Sequence, residues 1–113
     1  MGTNLNHVTL SGRLTRDPVL QTLPSGHIVC DMQLACHYRA RDNHTGEWHE
    51  HTDFLPVRAF AYQARTSGDH LHKGDEIALA GRICSRKVSF PDAPAHWITE
   101  VIAQTVQFTR GAR

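Results

Sequence analysis

His27-Ile28-Val29-Cys30-Asp31-Met32-Gln33-Leu34-Ala35-Cys36-His37-Tyr38 is the stretch that sets the fold class. Ile28, Cys30, Met32, Leu34 and Cys36 fall on every second position, the period of a β-strand that turns one face to a core. The run follows Pro24-Ser25-Gly26, a strong turn sequence. Upstream, residues 7–14 alternate around Val8, Leu10 and Gly12, and Val19 and Leu20 resume the extended pattern after Asp17-Pro18. Pro18 biases Asp17 away from helical geometry, so two strand segments with a bend between them are predicted. Downstream, residues 39–50 are polar and contain Asn43-His44-Thr45-Gly46, which reads as the tip of a long, mobile hairpin.

Strand pattern returns over residues 51–60, with Phe54, Val57 and Phe60 among the larger apolar side chains. Pro56 has no N–H to give to a ladder, so it demands an edge, a bulge or an outward-facing amide position. Residues 61–71 form the best helix candidate, with Ala61, Ala64 and Leu71 on one face and Gly68 as a weak point. Lys73-Gly74-Asp75 turns the chain into an alternating strand that starts at Ile77, Leu79 and Gly81 and reaches Ser89. Pro91-Asp92-Ala93-Pro94 supplies another turn before a last strand over 96–108, whose alternation at Ile98, Glu100, Ile102 and Gln104 is imperfect. Long strands, a bend in the first and a helix between the third and fourth fit a small closed all-β barrel, in which closure removes exposed strand edges. An open antiparallel sheet with one packed helix fits the same pattern.

At 113 residues the chain has the size of one domain. Twelve Lys and Arg against eleven Asp and Glu give a net charge of +1, so a polyanionic partner must be argued from where the cations stand. Nine histidines mean that a modest fall in pH adds positive charge to a nearly neutral chain. Cys30, Cys36 and Cys84 include no CxxC pair and fit a reduced, intracellular setting. The first residues lack the basic and apolar regions of a secretory signal, and no apolar run approaches the roughly 20 residues of a membrane-spanning helix. A soluble protein with a cytoplasmic, nucleoid-associated location is expected.

Several segments taken together resemble the bacterial single-stranded DNA-binding protein family. They are Asn6-His7-Val8-Thr9-Leu10-Ser11-Gly12-Arg13-Leu14, Asp17-Pro18, Pro24-Ser25-Gly26, and Leu34-Ala35 followed by Thr52-Asp53-Phe54. Phe60, His70-Leu71-His72-Lys73-Gly74-Asp75, Gly81-Arg82, Arg86-Lys87 and Thr99-Glu100-Val101 continue the match in the same order. The resemblance implies an OB-fold, a five-stranded Greek-key barrel with one short helix between the third and fourth strands, over residues 1–110, with 111–113 as a short C-terminal end. It also implies single-stranded DNA as partner and a homotetramer reached through dimers whose N-terminal strands pair. Binding and protection of exposed strands in replication, recombination or repair follow, with no chemical step and no cofactor. Family members commonly carry a disordered linker and an acidic tip beyond the last strand. The sequence stops at Arg113, so recruitment of replication proteins through such a tail is not expected.

The family's stacking positions correspond to Ala40, Phe54, Phe60 and Val88, two of which keep a ring. Removing a stacking ring costs roughly 1 to 3 kcal/mol per base, so the two losses weaken the expected binding. Phe54 and Phe60 share strand parity, and either stack on bases or pack in the core. Trp48, near the hairpin tip, offers another ring for a base or for a subunit interface, and Trp97 stands just past the proline-rich turn. Arg39 and Arg41 flank Ala40, while Arg82, Arg86 and Lys87 stand on one later strand, with Lys87 on the opposite face from the two arginines. Guanidinium groups suit phosphate through bidentate contacts. Arg13, Arg58 and Lys73 extend the candidate cationic track, Arg58 sharing parity with both phenylalanines. The competing reading makes these cations ordinary solvated side chains, paired with Asp42, Glu47 or Glu50. No metal is assigned to His49 with His51 or to His70 with His72, which are too sparse for a site. Nothing in the sequence fixes a reaction. The remaining alternative is a barrel that serves as a protein-interaction or replication-restart accessory with weak nucleic-acid binding.

Overall fold

The computed structural model describes residues 2–111. The order is β1 (Val8–Leu14), β2 (Val19–Thr22), β3 (Ile28–Arg41), β4 (Trp48–Phe60), α1 (Ala61–His70), β5 (Glu76–Phe90) and β6 (Ala93–Arg110). The strands form one sheet in the order β1-β5-β6-β4-β3-β2, and a further β1–β3 pairing closes it. β2 lies antiparallel against residues 28–31 of β3, and β1 against Leu34 and Ala35. The two segments therefore act as one strand bent at Asp17-Pro18, as the proline predicted. Counted this way the barrel has five strands, with α1 between the third and fourth. Of the C-terminal end 111–113, only Gly111 is among the described residues.

Side chains at even positions of β3 and odd positions of β4 fill the interior, with Cys30, Met32, Leu34, Val57 and Ala59 all buried against Ile77, Leu79 and Leu14. Closure brings backbone against backbone at two glycines. A Cβ at Gly12 would run into the carbonyl oxygen of Ala35, and one at Gly81 into that of Ile102. Gly81 also marks a break in register between β5 and β6, where Gly81 pairs with Ala103 and Ala80 with Thr105. Gln104 is the unmatched residue, and it shifts the parity of β6. Val101 and Ala103 face the interior before this break and Val106 packs against the core after it, while Glu100 and Ile102, also buried, have the opposite parity.

α1 turns Ala64 and Ser67 to the barrel. Ala61, expected on that buried face, is exposed at the start of the helix. Buried Asp75 accepts the N–H of His72 at 2.9 Å, and Asp17 accepts that of Lys73 at 2.7 Å. These two carboxylates fix the turn after the helix and tie it to the β1–β2 bend. Asn6 extends the β1–β5 ladder with its side chain, donating to the Ile83 carbonyl at 2.7 Å and accepting the Ile83 N–H at 2.8 Å.

Candidate nucleic-acid interface

β3 and β4 stay in register from Val29 with Phe60 out to Arg41 with Trp48. β1 reaches β3 only at Leu34 and Ala35, and β6 reaches β4 only at residues 57–59. Beyond these contacts the two strands project from the barrel as an arm. Pro56 stands one position before β4 acquires its second neighbour, at the kind of strand edge its missing N–H requires. The polar stretch 39–50 is therefore mostly strand, and its turn is confined to residues 42–47. Asp42 organises that turn, its Oδ1 accepting the N–H groups of His44 at 2.7 Å and Thr45 at 3.3 Å. Alternation marks a strand only where one face is buried, and here both faces are wet. β5 and β6 form a second such hairpin with a turn at residues 91–92, so Ala93 and Pro94 belong to the strand.

Register places the candidate residues on two faces. Opposite the core parity, on the outer face, lie Arg39 and Arg41 of β3, Trp48, Phe54, Arg58 and Phe60 of β4, and Arg82 and Arg86 of β5. Phe54 is 60% exposed, Trp48 58% and Phe60 38%. None of the three rings packs in the core. The Arg39 guanidinium lies over the Trp48 ring, 5.3 Å from its centroid, a cation–π contact. Arg41 stays near the tip and donates to the Gly46 carbonyl at 3.3 Å.

Three of the cations are held by carboxylates. Arg58, only 8% exposed, donates from Nε to Asp31 Oδ1 at 2.7 Å and from Nη2 to Oδ2 at 3.0 Å. Gln21 adds a third bond to the same carboxylate at 2.6 Å. Burial alone pushes the Asp31 carboxyl up, but the hydrogen bonds and charge of Arg58, with Gln21 and the charge of Arg86, bring it below the ordinary range. Arg86 donates to buried Glu100 at 2.7 Å. Arg13 bonds the Gly74 carbonyl at 2.7 Å and Glu76 at 3.2 Å. Among the described residues Arg82, Lys73 and Lys87 have no ion-pair partner within 4.0 Å. Lys73 sits exposed in the turn after α1.

Lys87 faces the other way, as its parity predicted, opposite exposed Trp97. Ala40 also lies off the outer face, opposite His49. Its neighbour Tyr38 stacks on His51 with centroids 5.2 Å apart and planes 22° from parallel. Val88 pairs with His96, which in turn touches Phe90 at 6.0 Å. Each position without a ring thus stands beside a ring pair. Sequence reading missed Tyr38, because its pairing with His51 appears only once the 42–47 turn fixes the register. Cys30 is buried, and that burial, with Asp31 adding to it, pushes its thiol up to about 11; burial raises Cys36 as well.

The model of the single-strand binding protein family matches residues 5–109. Single-stranded DNA-binding protein 2 of Clostridium acetobutylicum is 32% identical over 105 residues, covering 92% of this chain and 76% of that protein. The single-stranded DNA-binding protein of Clostridium tetani is 35% identical over 105 residues, covering 92% and 70%. Among solved structures, the Plasmodium falciparum SSB in complex with ssDNA superimposes with a TM-score of 0.83 at 25% identity, over 96% of this chain and 98% of that one. A closed five-stranded barrel with two projecting hairpins, matched along nearly its whole length, places the chain in a known group: it belongs to the single-strand binding protein family.

Proposed function

We propose that this protein binds single-stranded DNA without reading its sequence and protects it during replication, recombination or repair. The observation that carries the reading is the outer face, where Phe54, Phe60 and Trp48 stand exposed on the same side as Arg39, Arg41 and Arg82. Rings that present their faces to solvent accept any base, and guanidinium groups track the phosphates between them. Lys73 and Lys87 extend the charge beyond that face. Arg13, Arg58 and Arg86 serve mainly to hold the scaffold, because each is tied to a carboxylate. The binding needs no chemical step. A homotetramer, built from dimers that pair the free edge of β1, and a cytoplasmic location complete the proposal.

A second reading, a barrel that contacts other proteins and binds nucleic acid weakly, draws on the absent rings at Ala40 and Val88 and on the three committed arginines. Fluorescence anisotropy with labelled poly-dT, against duplex and RNA competitors, separates the two. Strand-selective binding that falls by about five- to 150-fold in Phe54→Ala and again in Phe60→Ala is expected. Folded protein that ignores poly-dT at low salt, or binds it equally well without either ring, makes the protein-contact reading the correct one.

A further inference from the structure

We propose that the four histidines of the β3–β4 arm make its hold on single-stranded DNA proton-dependent, the arm repelling phosphate when they are neutral and attracting it when they are charged. The proposal rests on the single-strand-binding reading above and gives the arm's share of that binding a pH gate. Residues 37–53 contain two arginines and four carboxylates, so the arm carries a net charge of −2 while its imidazoles are neutral. His37, His44, His49 and His51 stand in the same stretch, and protonating all four turns that charge to +2. Histidine is the side chain that ordinarily gains its charge between about pH 8 and about pH 5. The other hairpin has no such reversal. Residues 82–100 hold three cations, two carboxylates and the single histidine His96, so that hairpin is positive whether or not the ring is charged.

The placement of the four rings fits this role. His37 lies on the outer face with Arg39 and Phe54, just past the point where β1 leaves β3. Its Nδ1 is 2.8 Å from the Thr52 hydroxyl, which orients the ring, and its Nε2 has no hydrogen-bond partner among the described residues. A protonated imidazole donates from both nitrogens, so Nε2 can meet a phosphate oxygen while Nδ1 stays on Thr52. Arg39 and Glu50 share one cleft with His37, and Arg13 with its partner Glu76 shares another. Two cations and two carboxylates balance around the ring, and its proton decides the local sign. His49 and His51 face the other way, on the side of Tyr38. His49 Nε2 is 3.9 Å from Glu47, and Asp53 stands two positions beyond His51 on the same face. His44 sits in the turn that Asp42 organises. At these three places an imidazolium offsets a carboxylate that repels DNA, with no direct contact required. The arm is a ribbon of two strands, and charge on either face acts on a strand held within the screening length of about 10 Å at 0.1 M salt.

Histidines that are only solvated surface side chains are the competing explanation. Anisotropy of labelled poly-dT at fixed low salt is compared at about pH 8 and about pH 6, a window in which carboxylates of ordinary pKa stay ionised. The wild type is set beside an arm variant combining His37→Gln, His44→Gln, His49→Gln and His51→Gln, and beside a control combining His7→Gln, His27→Gln and His70→Gln. Wild type and control are expected to bind about tenfold tighter at the lower pH, with a salt slope steeper by about 0.7 per further phosphate engaged. The arm variant is expected to change by less than about twofold over the same window. Equal wild-type affinity at both values, full pH dependence in the arm variant or its loss in the control overturns the proposal and leaves the outer-face reading intact. If the arm variant does not fold, proton uptake decides, because a strand that binds more tightly to the protonated arm must take up protons on binding. Calorimetry at about pH 7 in buffers of different ionisation enthalpy must then show uptake by the wild type, reduced in the single variants His37→Gln and His49→Gln. Absent or unreduced uptake overturns the proposal. A wild type that binds dT at neither pH overturns both readings.

Discussion

Ala61 has φ of 52°, the one non-glycine residue in the left-handed region among those described. It joins extended Phe60, at φ −123° and ψ 152°, to a helix that turns Ala64 and Ser67 to the barrel. The abrupt change of direction leaves the Phe60 ring on the outer face. For an L-residue this geometry costs roughly 1 to 2 kcal/mol, since its Cβ crowds the following carbonyl. Glycine removes that cost but gives back part of it as chain entropy. Ala61→Gly is therefore expected to raise stability by about 1 kcal/mol in urea denaturation, and the thermal midpoint by a few degrees. Nothing local in the sequence marks Ala61, because alanine is a strong helix former and the strain arises from where β4 delivers the chain.

At the level of strands, the outer face is crossed by a row of alternating charge: Asp31 on β3, Arg58 on β4, Glu100 on β6 and Arg86 on β5. Gln21 ties β2 to its end. The row ties the β3–β4 hairpin to the β5–β6 hairpin across the β4–β6 pairing, and it draws Arg58 and Arg86 away from phosphate. Its acid response follows from Asp31. A carboxyl lowered in the folded state contributes its full stability above its unfolded pKa, and that contribution is lost as pH falls through the lowered folded value. Stability should therefore decline between about pH 5 and about pH 2 more steeply in the wild type than in Asp31→Asn, with denaturant midpoints as the measure. Equal slopes would show that the pair contributes nothing net.

For the whole molecule, β1 pairs with β5 on one side, while on the other it meets β3 only at its end, through Arg13 and Leu14. Residues 8–12 thus present a free edge, which a lone barrel would be expected to cover. A second copy pairing along it gives the proposed dimer. Sedimentation equilibrium should find a species of several times the 12.7 kDa chain mass, and a monomer at micromolar concentration would remove the assembly part of the proposal. With cations divided between a β3–β4 arm and β5, binding should also weaken with salt. The slope of log K against log salt should be about −0.7 per phosphate contacted.

Much of this protein was legible along the chain. The strand of residues 27–38, the bend at Asp17-Pro18, the turn at Pro24-Ser25-Gly26, the helix after Phe60 and the shared parity of Phe54 and Phe60 all follow from local periodicity and turn chemistry. Both act over a few residues, so sequence alone determines them, whereas that these two rings face outward came only from the structure. Which cations remain free was decided only by the tertiary structure. Arg58 meets Asp31 across 27 positions and Arg86 meets Glu100 across 14, and neither partner is marked by its neighbours. The pairing of Tyr38 with His51 has the same origin. Barrel closure and a six-residue turn at 42–47 set the registers that bring these side chains together, and register depends on the whole sheet rather than on any one strand.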